Sequence, residues 1–464
     1  MGEPLIADLE RAAGAAAVLS APAERWTYGY DNSRRHALPA AVVLAEEAAQ
    51  VAEVVRVCRR HRVPLVARGR GTGTTGAAVP APGGVVLSLE RMDAVVELDP
   101  DDRLMVVQPG ATNAAVQRAA AAHGYFWPPD PTSAEACTVG GNLACNAAGP
   151  RAVKYGTPRE CTLGLEAVAG TGARLRTGVR TTKGVVGYDL TRLIIGSEGT
   201  LAVITEATLR LTPLPEARRT LRAVYAGVEP AARAVARLMA LPSLPCALEF
   251  MDRAALELVR GHQPVALPAG AGALLMIETD GPEGCMEAIV AATRRAATVE
   301  GLLELEEAAG EAARAELWRA RKALSPALRN AAPGKINEDV VVPVSRLAEL
   351  VRGLERLAAE HRTRIVNFGH AGNGNLHVNL LYDPADAGER ARAERCLDAV
   401  FGLVLELGGT LSGEHGVGLV KRALAARELD AEALALMHAV KAQFDPDGIL
   451  NPGKTLPPLA PALS

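Results

Sequence analysis

Two short apolar runs, VPLVA (63–67) and VVLSL (85–89), are joined by a loop that cannot be a helix, and this connection constrains the fold most. The loop opens with RGRGTGTTGAA (68–78), where Gly71, Gly73 and Gly76 spell G-x-G-x-x-G. Glu90 even stands downstream, where a dinucleotide fingerprint places its ribose-binding acid. That fingerprint works only if its last glycine opens a helix whose amides meet a pyrophosphate. Here Pro80, Pro82, Gly83 and Gly84 follow, and no helix of useful length can form. Strand–loop–strand excludes a Rossmann turn. The glycines can still converge backbone N–H groups on an anion as a nest.

At 464 residues the chain predicts two or three domains. Its 49% hydrophobic and 22% charged residues belong to a globular protein. A net charge of −3 gives no general attraction to nucleic acid, and 3% aromatics argue against a base-stacking surface. Seven cysteines without a C-x-x-C pair exclude a ferredoxin-type cluster or zinc ribbon. The first residues lack a basic-then-apolar leader and no long apolar run appears, so the expected location is cytoplasmic, with peripheral attachment at the inner membrane face as an option.

Periodicity predicts helices over 4–20 and 40–62, the latter with Val51, Val54, Val55 and Cys58 on one face. AVVELDPDDRLMVVQPG reads as a hairpin turning at Pro100–Asp102, and TNAAVQRAAAAHG as a helix. GGNLACNAAGP reads as a glycine-rich connection. After Pro213 and Pro215 strands and helices alternate, with a long helix over 303–332 and two strands, RIVNFGH and LHVNLLY, around a glycine turn. Such a pattern suits an antiparallel sheet covered by helices.

Nine blocks fall in one order: RGRGTGTTGAA, VQPG, PPDPTS, TVGGNLACNAAGP, VKYGTPRECTLGLEAV, GYDLTRLIIGSEGTLAVITEATLRL, HAGNGNLH, GEHGVG and NPGK. Together they resemble the FAD-linked 2-hydroxyacid dehydrogenases of the vanillyl-alcohol-oxidase superfamily: glycolate oxidase catalytic subunits, D-lactate and D-2-hydroxyglutarate dehydrogenases. The resemblance implies an α+β protein with a two-subdomain FAD-binding fold and a ferredoxin-like α+β substrate or cap domain. The expected division is an N-terminal helical segment (1–36), an FAD domain (37–215), a substrate domain (216–410) and a C-terminal return (411–464).

By that resemblance the glycine loop wraps the FAD pyrophosphate through Arg68, Gly69, Arg70, Gly71, Thr72, Gly73, Thr74 and Thr75. Pro129 and Asp130 would wall the flavin. Thr138, Gly140, Gly141, Asn142, Cys145, Asn146 and Gly149 would approach it, with Glu198, Gly199, Ile204 and Asn451 completing the cofactor set. No histidine lies in the glycine loop, so non-covalent FAD is expected.

HAGNGNLH brings His370 and His377 to the two ends of one turn, and the resemblance adds Glu414 as a third ligand for zinc, manganese or iron. It makes His415 the base that takes the substrate's hydroxyl proton while hydride passes from C2 to flavin N5; a role holding Glu414 is the alternative. Arg321 and Ser325, four apart on a helix, match the expected carboxylate clamp, with a solvated basic face as the competing reading. The lysine that relatives use for a second carboxylate has no clean counterpart, since Asn337 stands nearer its place than Lys335, which favours lactate or glycolate over 2-hydroxyglutarate. A quinone, an electron-transferring flavoprotein or a partner iron–sulfur subunit would accept electrons, in a homodimer or a hetero-oligomeric oxidase complex. A non-catalytic flavin subunit or an alkyl-glycerone-phosphate type enzyme are the other readings, and neither needs the histidine turn.

Overall fold

The computed structural model describes residues 2–262, 266–308 and 310–459. The chain forms two compact units: Met1–Gly149 with Gly156–Leu214 and Glu414–Ser464, and Pro150–Tyr155 with Pro215–Gly413.

In the first unit, β1 (Val18–Leu19), β2 (Ala41–Leu44), β3 (Leu65–Arg68) and β4 (Val85–Ser88) form a sheet in the order β1-β2-β4-β3. β4 runs parallel to both β2 and β3. Parallel neighbours need a long return path, usually a helix. Here the glycine- and proline-rich residues 69–84 make that return without one. Helix Ala48–His61 buries Val51, Val54, Val55 and Cys58 against Val43, Leu65 and Val85. The expected helix over 40–62 therefore starts late. AVVL is a fully buried strand, and such a run has no polar face to reveal its period. Likewise the N-terminal helix stops at Ala13, and Val18–Leu19 pairs with β2.

The second sheet of this unit comes from β5 (Val95–Asp99), β6 (Leu104–Val107), β8 (Thr162–Ala169), β9 (Arg174–Gly178) and β10 (Ala202–Arg210), all antiparallel in the order β5-β6-β10-β8-β9. A two-residue pair, β7 (Tyr125–Phe126) with β11 (Thr212–Pro213), stands apart. The β5–β6 turn is as read: Asp99 Oδ1 accepts from the N–H groups of Asp101 and Asp102. GGNLACNAAGP departs from the sequence reading. Val139–Cys145 is a helix, capped where the Thr138 hydroxyl accepts from Gly141 N–H at 3.4 Å.

The second unit is one antiparallel seven-stranded sheet: β12 (Ala217–Tyr225), β13 (Ala247–Asp252), β14 (Ala273–Gly281), β15 (Leu302–Glu307), β16 (Gly334–Val341), β17 (Arg364–His370) and β18 (Asn375–Tyr382). Their order is β15-β12-β14-β13-β17-β18-β16. Helices Arg253–His262 and Glu311–Ala331 cover one face, packing Leu317, Leu324 and Leu328 with Met251, Val366 and Phe368. The long helix expected from 303 begins at Glu311 instead. LLELEE is the edge strand, and Glu304 and Glu306, two apart and so on one face, both meet Arg222 of β12 at 2.7 Å.

Candidate functional site

β17 and β18 form a hairpin whose turn, Ala371–Asn373 and Gly374, carries the histidines at its two shoulders. Register places His377 opposite Phe368 and His370 opposite Asn375, so both imidazoles project from one face of the sheet. The rings meet edge to face with centroids 5.2 Å apart, and each residue is under one-tenth exposed. A ligating atom on one lies within 4.8 Å of its counterpart on the other.

Across the sheet, β13 sets Glu249 beside His370. Its Oε1 meets His370 Nδ1, which leaves Nε2 as that imidazole's outward donor or ligand. Its Oε2 accepts from Arg321 Nε at 2.8 Å, and the Arg321 guanidinium carbon stands 4.6 Å over the Phe368 ring. Burial alone would raise the Glu249 carboxyl. The His370 and Arg321 charges and hydrogen bonds more than offset that and hold it at about 2. Arg321, expected as a substrate clamp, is therefore first a partner of Glu249. Nε is the bonded atom, so the terminal nitrogens of a bidentate grip are not consumed by this pair. Ser325 lies on the same helix, and its side chain is outside the described residues.

Glu249 is the residue that the sequence reading missed. The signal was there: two carboxylates, Glu249 and Asp252, inside PCALEFMD, whose strand is buried at every position. On the other side, Asp339 of β16 faces His377, and its Oδ2 accepts from Gly413 N–H at 2.9 Å. That bond fixes the last residue of the second unit. Glu414 is next in the chain. Asn337 donates to Asn379 Oδ1 at 2.6 Å.

Within the first unit the remaining blocks converge. A Cβ on Gly69 would lie 2.3 Å from the Thr138 hydroxyl, so the glycine loop and the Val139 helix touch. Thr75 accepts through its carbonyl from the N–H groups of Leu419 and Val420, and its hydroxyl donates to His415 O at 3.3 Å. Gly149 N–H donates to Glu414 Oε2 at 2.8 Å. Gly71 has a φ of 65°, and a Cβ there would strike the Arg68 guanidinium.

Several of the expected cofactor side chains are committed to protein. Arg68 is buried and donates to Tyr30 O at 2.7 Å, whereas Arg70 is exposed. Asn146 Oδ1 accepts from Thr157 Oγ1 and Arg159 N–H, both at 3.0 Å. Glu198 is buried and accepts from Val417 N–H at 2.7 Å and Gly418 N–H at 2.9 Å, which holds the His415 segment. Asn451 Nδ2 donates to Ala77 O at 3.0 Å and Glu198 O at 2.7 Å. Ile204 packs in the core beside Val139 and Leu143. Pro129 O accepts from Asn113, and Asp130 N–H donates to Ala148 O. Cys145 is half-buried, and burial raises its thiol pKa.

What is left fits a flavin dinucleotide. Asn142 is buried, yet its Nδ2 has no partner among the described residues. Beside Gly199 a Cβ would meet nothing within 4 Å, and beside Gly141 only the Thr138 hydroxyl at 3.3 Å. Backbone amides of Thr72, Gly73 and Thr74 lie in the glycine loop between β3 and β4. Together these supply donors and approach room rather than fixed charge.

Residues 39–178 match the family described as FAD binding domain, and residues 214–455 match that described as FAD linked oxidases, C-terminal domain. The chain is similar to the glycolate oxidase subunit GlcD of Bacillus subtilis, at 39% identity over 93% of this chain and 92% of that one. It is similar to D-lactate dehydrogenase of Anaerostipes hadrus, at 35% identity over 90% of each. Among solved structures it shares the fold of p-cresol methylhydroxylase, with a TM-score of 0.77 at 17% identity, covering 98% of this chain and 96% of that one.

Proposed function

The chain belongs to the FAD-linked oxidases, and from that premise we propose that it oxidises a D-2-hydroxy acid of the lactate or glycolate class to the 2-oxo acid. The observation that carries this reading is the pair of buried imidazoles on the β17–β18 hairpin, one of them oriented by the Glu249–Arg321 pair. His370 and His377, with Glu414 following the anchored Gly413, would hold a divalent ion. Such an ion, when bound, acidifies a coordinated hydroxyl and neutralises a carboxylate. FAD, when bound, supplies N5 as the hydride acceptor. His415 takes the proton of the substrate's 2-hydroxyl at an imidazole nitrogen. The terminal nitrogens of Arg321 orient the carboxylate. Glu249 holds His370 in one tautomer and keeps Arg321 in place.

Electrons then leave to an external acceptor, in keeping with relatives named as subunits of a glycolate oxidase. All seven cysteines are free thiols, which supports a reducing, cytoplasmic location. Among the described residues no helix is long and apolar enough to cross a membrane.

Anaerobic mixing of the flavin-loaded protein with D-lactate, glycolate and D-2-hydroxyglutarate tests the reading. Bleaching of the flavin by at least one of the first two, abolished after chelation, is expected. Yellow protein that no 2-hydroxy acid reduces would sink it.

A further inference from the structure

Asp31 lies outside the residues that match the FAD-binding family and has no task in the site described above. Its side chain is buried, with the residue 2% exposed. Oδ1 closes an Asx turn by accepting from Ser33 N–H at 2.9 Å. Oδ2 is also buried and has no hydrogen-bond partner among the described residues. Three bonds tie this segment to the glycine loop. Asn32 donates from its backbone to Gly73 O at 2.8 Å and from Nδ2 to Thr72 O at 3.1 Å, and Arg68 Nη1 donates to Tyr30 O at 2.7 Å. A Cβ on Gly73 would stand 4.0 Å from Asp31 Oδ2 and meet no other heavy atom within that distance. The carboxylate oxygen and the open side of Gly73 therefore face each other.

A buried acceptor without a donor is unfavourable, and native structures rarely leave one so. The two cations nearby are already committed. Arg68 bonds the carbonyls of Tyr30 and Thr27, and Lys454 bonds those of Ala77 and Val79 with the Asn451 side chain. A phosphate oxygen cannot serve, being an acceptor of the same charge. On either side of the pyrophosphate FAD carries hydroxyl-rich chains, the ribityl and the ribose. We infer that Asp31 accepts a hydrogen bond from a sugar-type hydroxyl of FAD, and so selects a fully hydroxylated cofactor.

This rests on FAD being the cofactor, and the test separates the two claims. The full-length apoprotein is titrated with FAD, and with analogues lacking a single hydroxyl on the ribityl chain or on the ribose, by flavin fluorescence. In the unaltered protein one analogue should bind roughly 10- to 100-fold more weakly than FAD, the range for a hydrogen bond to a charged group. In Asp31→Ala that gap should fall to within about threefold, and the responding analogue names the sugar. Asp31→Asn keeps the acceptor for Ser33, and should shrink the gap by at least about fivefold even if the alanine variant does not fold. Equal binding of every analogue by the unaltered protein, or a gap unchanged in Asp31→Asn, overturns the assignment. An apoprotein that takes up no FAD overturns the cofactor reading instead.

Discussion

Glu249 is a carboxylate sealed in a sheet between an imidazole and a guanidinium, and it stays ionised because both partners are there. Replacing it with glutamine keeps the shape but removes the charge that fixes the His370 tautomer. Glu249→Gln should weaken divalent-metal binding about 10- to 100-fold, the usual cost of losing a carboxylate behind a ligating histidine. Competition with a chromophoric chelator measures this, and FAD content should not change. His415 presents a different case, since Glu198 holds its segment through the N–H groups of Val417 and Gly418. His415→Asn should therefore keep FAD and the fold while slowing flavin reduction by 2-hydroxy acid roughly 10²-fold. Stopped-flow absorbance decides it, and unchanged kinetics would remove His415 from the base role. At this scale both histidines of the turn were legible from HAGNGNLH. Their orienting acid was not, because Glu249 is 121 residues away in sequence and becomes a neighbour only through the β13–β17 pairing.

The β17–β18 hairpin depends on its turn. Gly374 has a φ of 69°, and a Cβ there would sit 1.9 Å from Val342 O. Gly374→Ala combines left-handed strain with a backbone clash and should cost at least about 2 kcal/mol. Thermal melts should show the loss, and metal uptake should fall while FAD binding persists, because the glycine loop belongs to the other unit. One strand over, Asp252 opens helix Arg253–His262 by accepting from Ala255 N–H at 2.8 Å and also accepts from Asn367. Burial pushes its carboxyl up to about 7 despite those donors. A folded-state pKa above the unfolded value of about 4 means that the folded state holds the proton more tightly. That contribution to stability is complete below about pH 4 and is lost as pH rises through 7. Denaturant midpoints should thus fall between pH 5 and pH 8 more steeply for the unaltered protein than for Asp252→Asn. Equal slopes would show that Asp252 does not titrate in this window.

In the whole molecule the chain leaves the first unit at Leu214 and comes back at Glu414, and the returning segment is bolted to the glycine loop. Lys454 is the main bolt: its ammonium donates to the carbonyls of Ala77 and Val79 and to Asn451 Oδ1. Burial lowers its pKa to about 8. Lys454→Met removes the donor to the buried Val79 carbonyl and to Asn451 Oδ1 and should destabilise the apoprotein by about 2 kcal/mol or more, with weaker FAD binding. Calorimetry of apo and FAD-loaded protein checks both. NPGK thus matters through the loop that it secures. The same return explains why Asn451 and Glu198, expected at the cofactor, hold backbone instead.

Connections and chemistry are legible in local runs of residues. Prolines and glycines after Gly76 forbade a helix whatever the surroundings, because their backbone restrictions are local. The order of nine blocks pointed to a flavin protein, and two histidines flanking a glycine turn pointed to a ligand pair. What surrounds those groups is set by the folded chain. It turned AVVL and LLELEE into strands, since short apolar or alternating runs take their conformation from their neighbours. It gave His370 its carboxylate and Arg321 its partner, and it buried Asp31 against Gly73. Burial and pairing depend on which distant segments meet, and that information is spread along the whole chain rather than carried by any one motif.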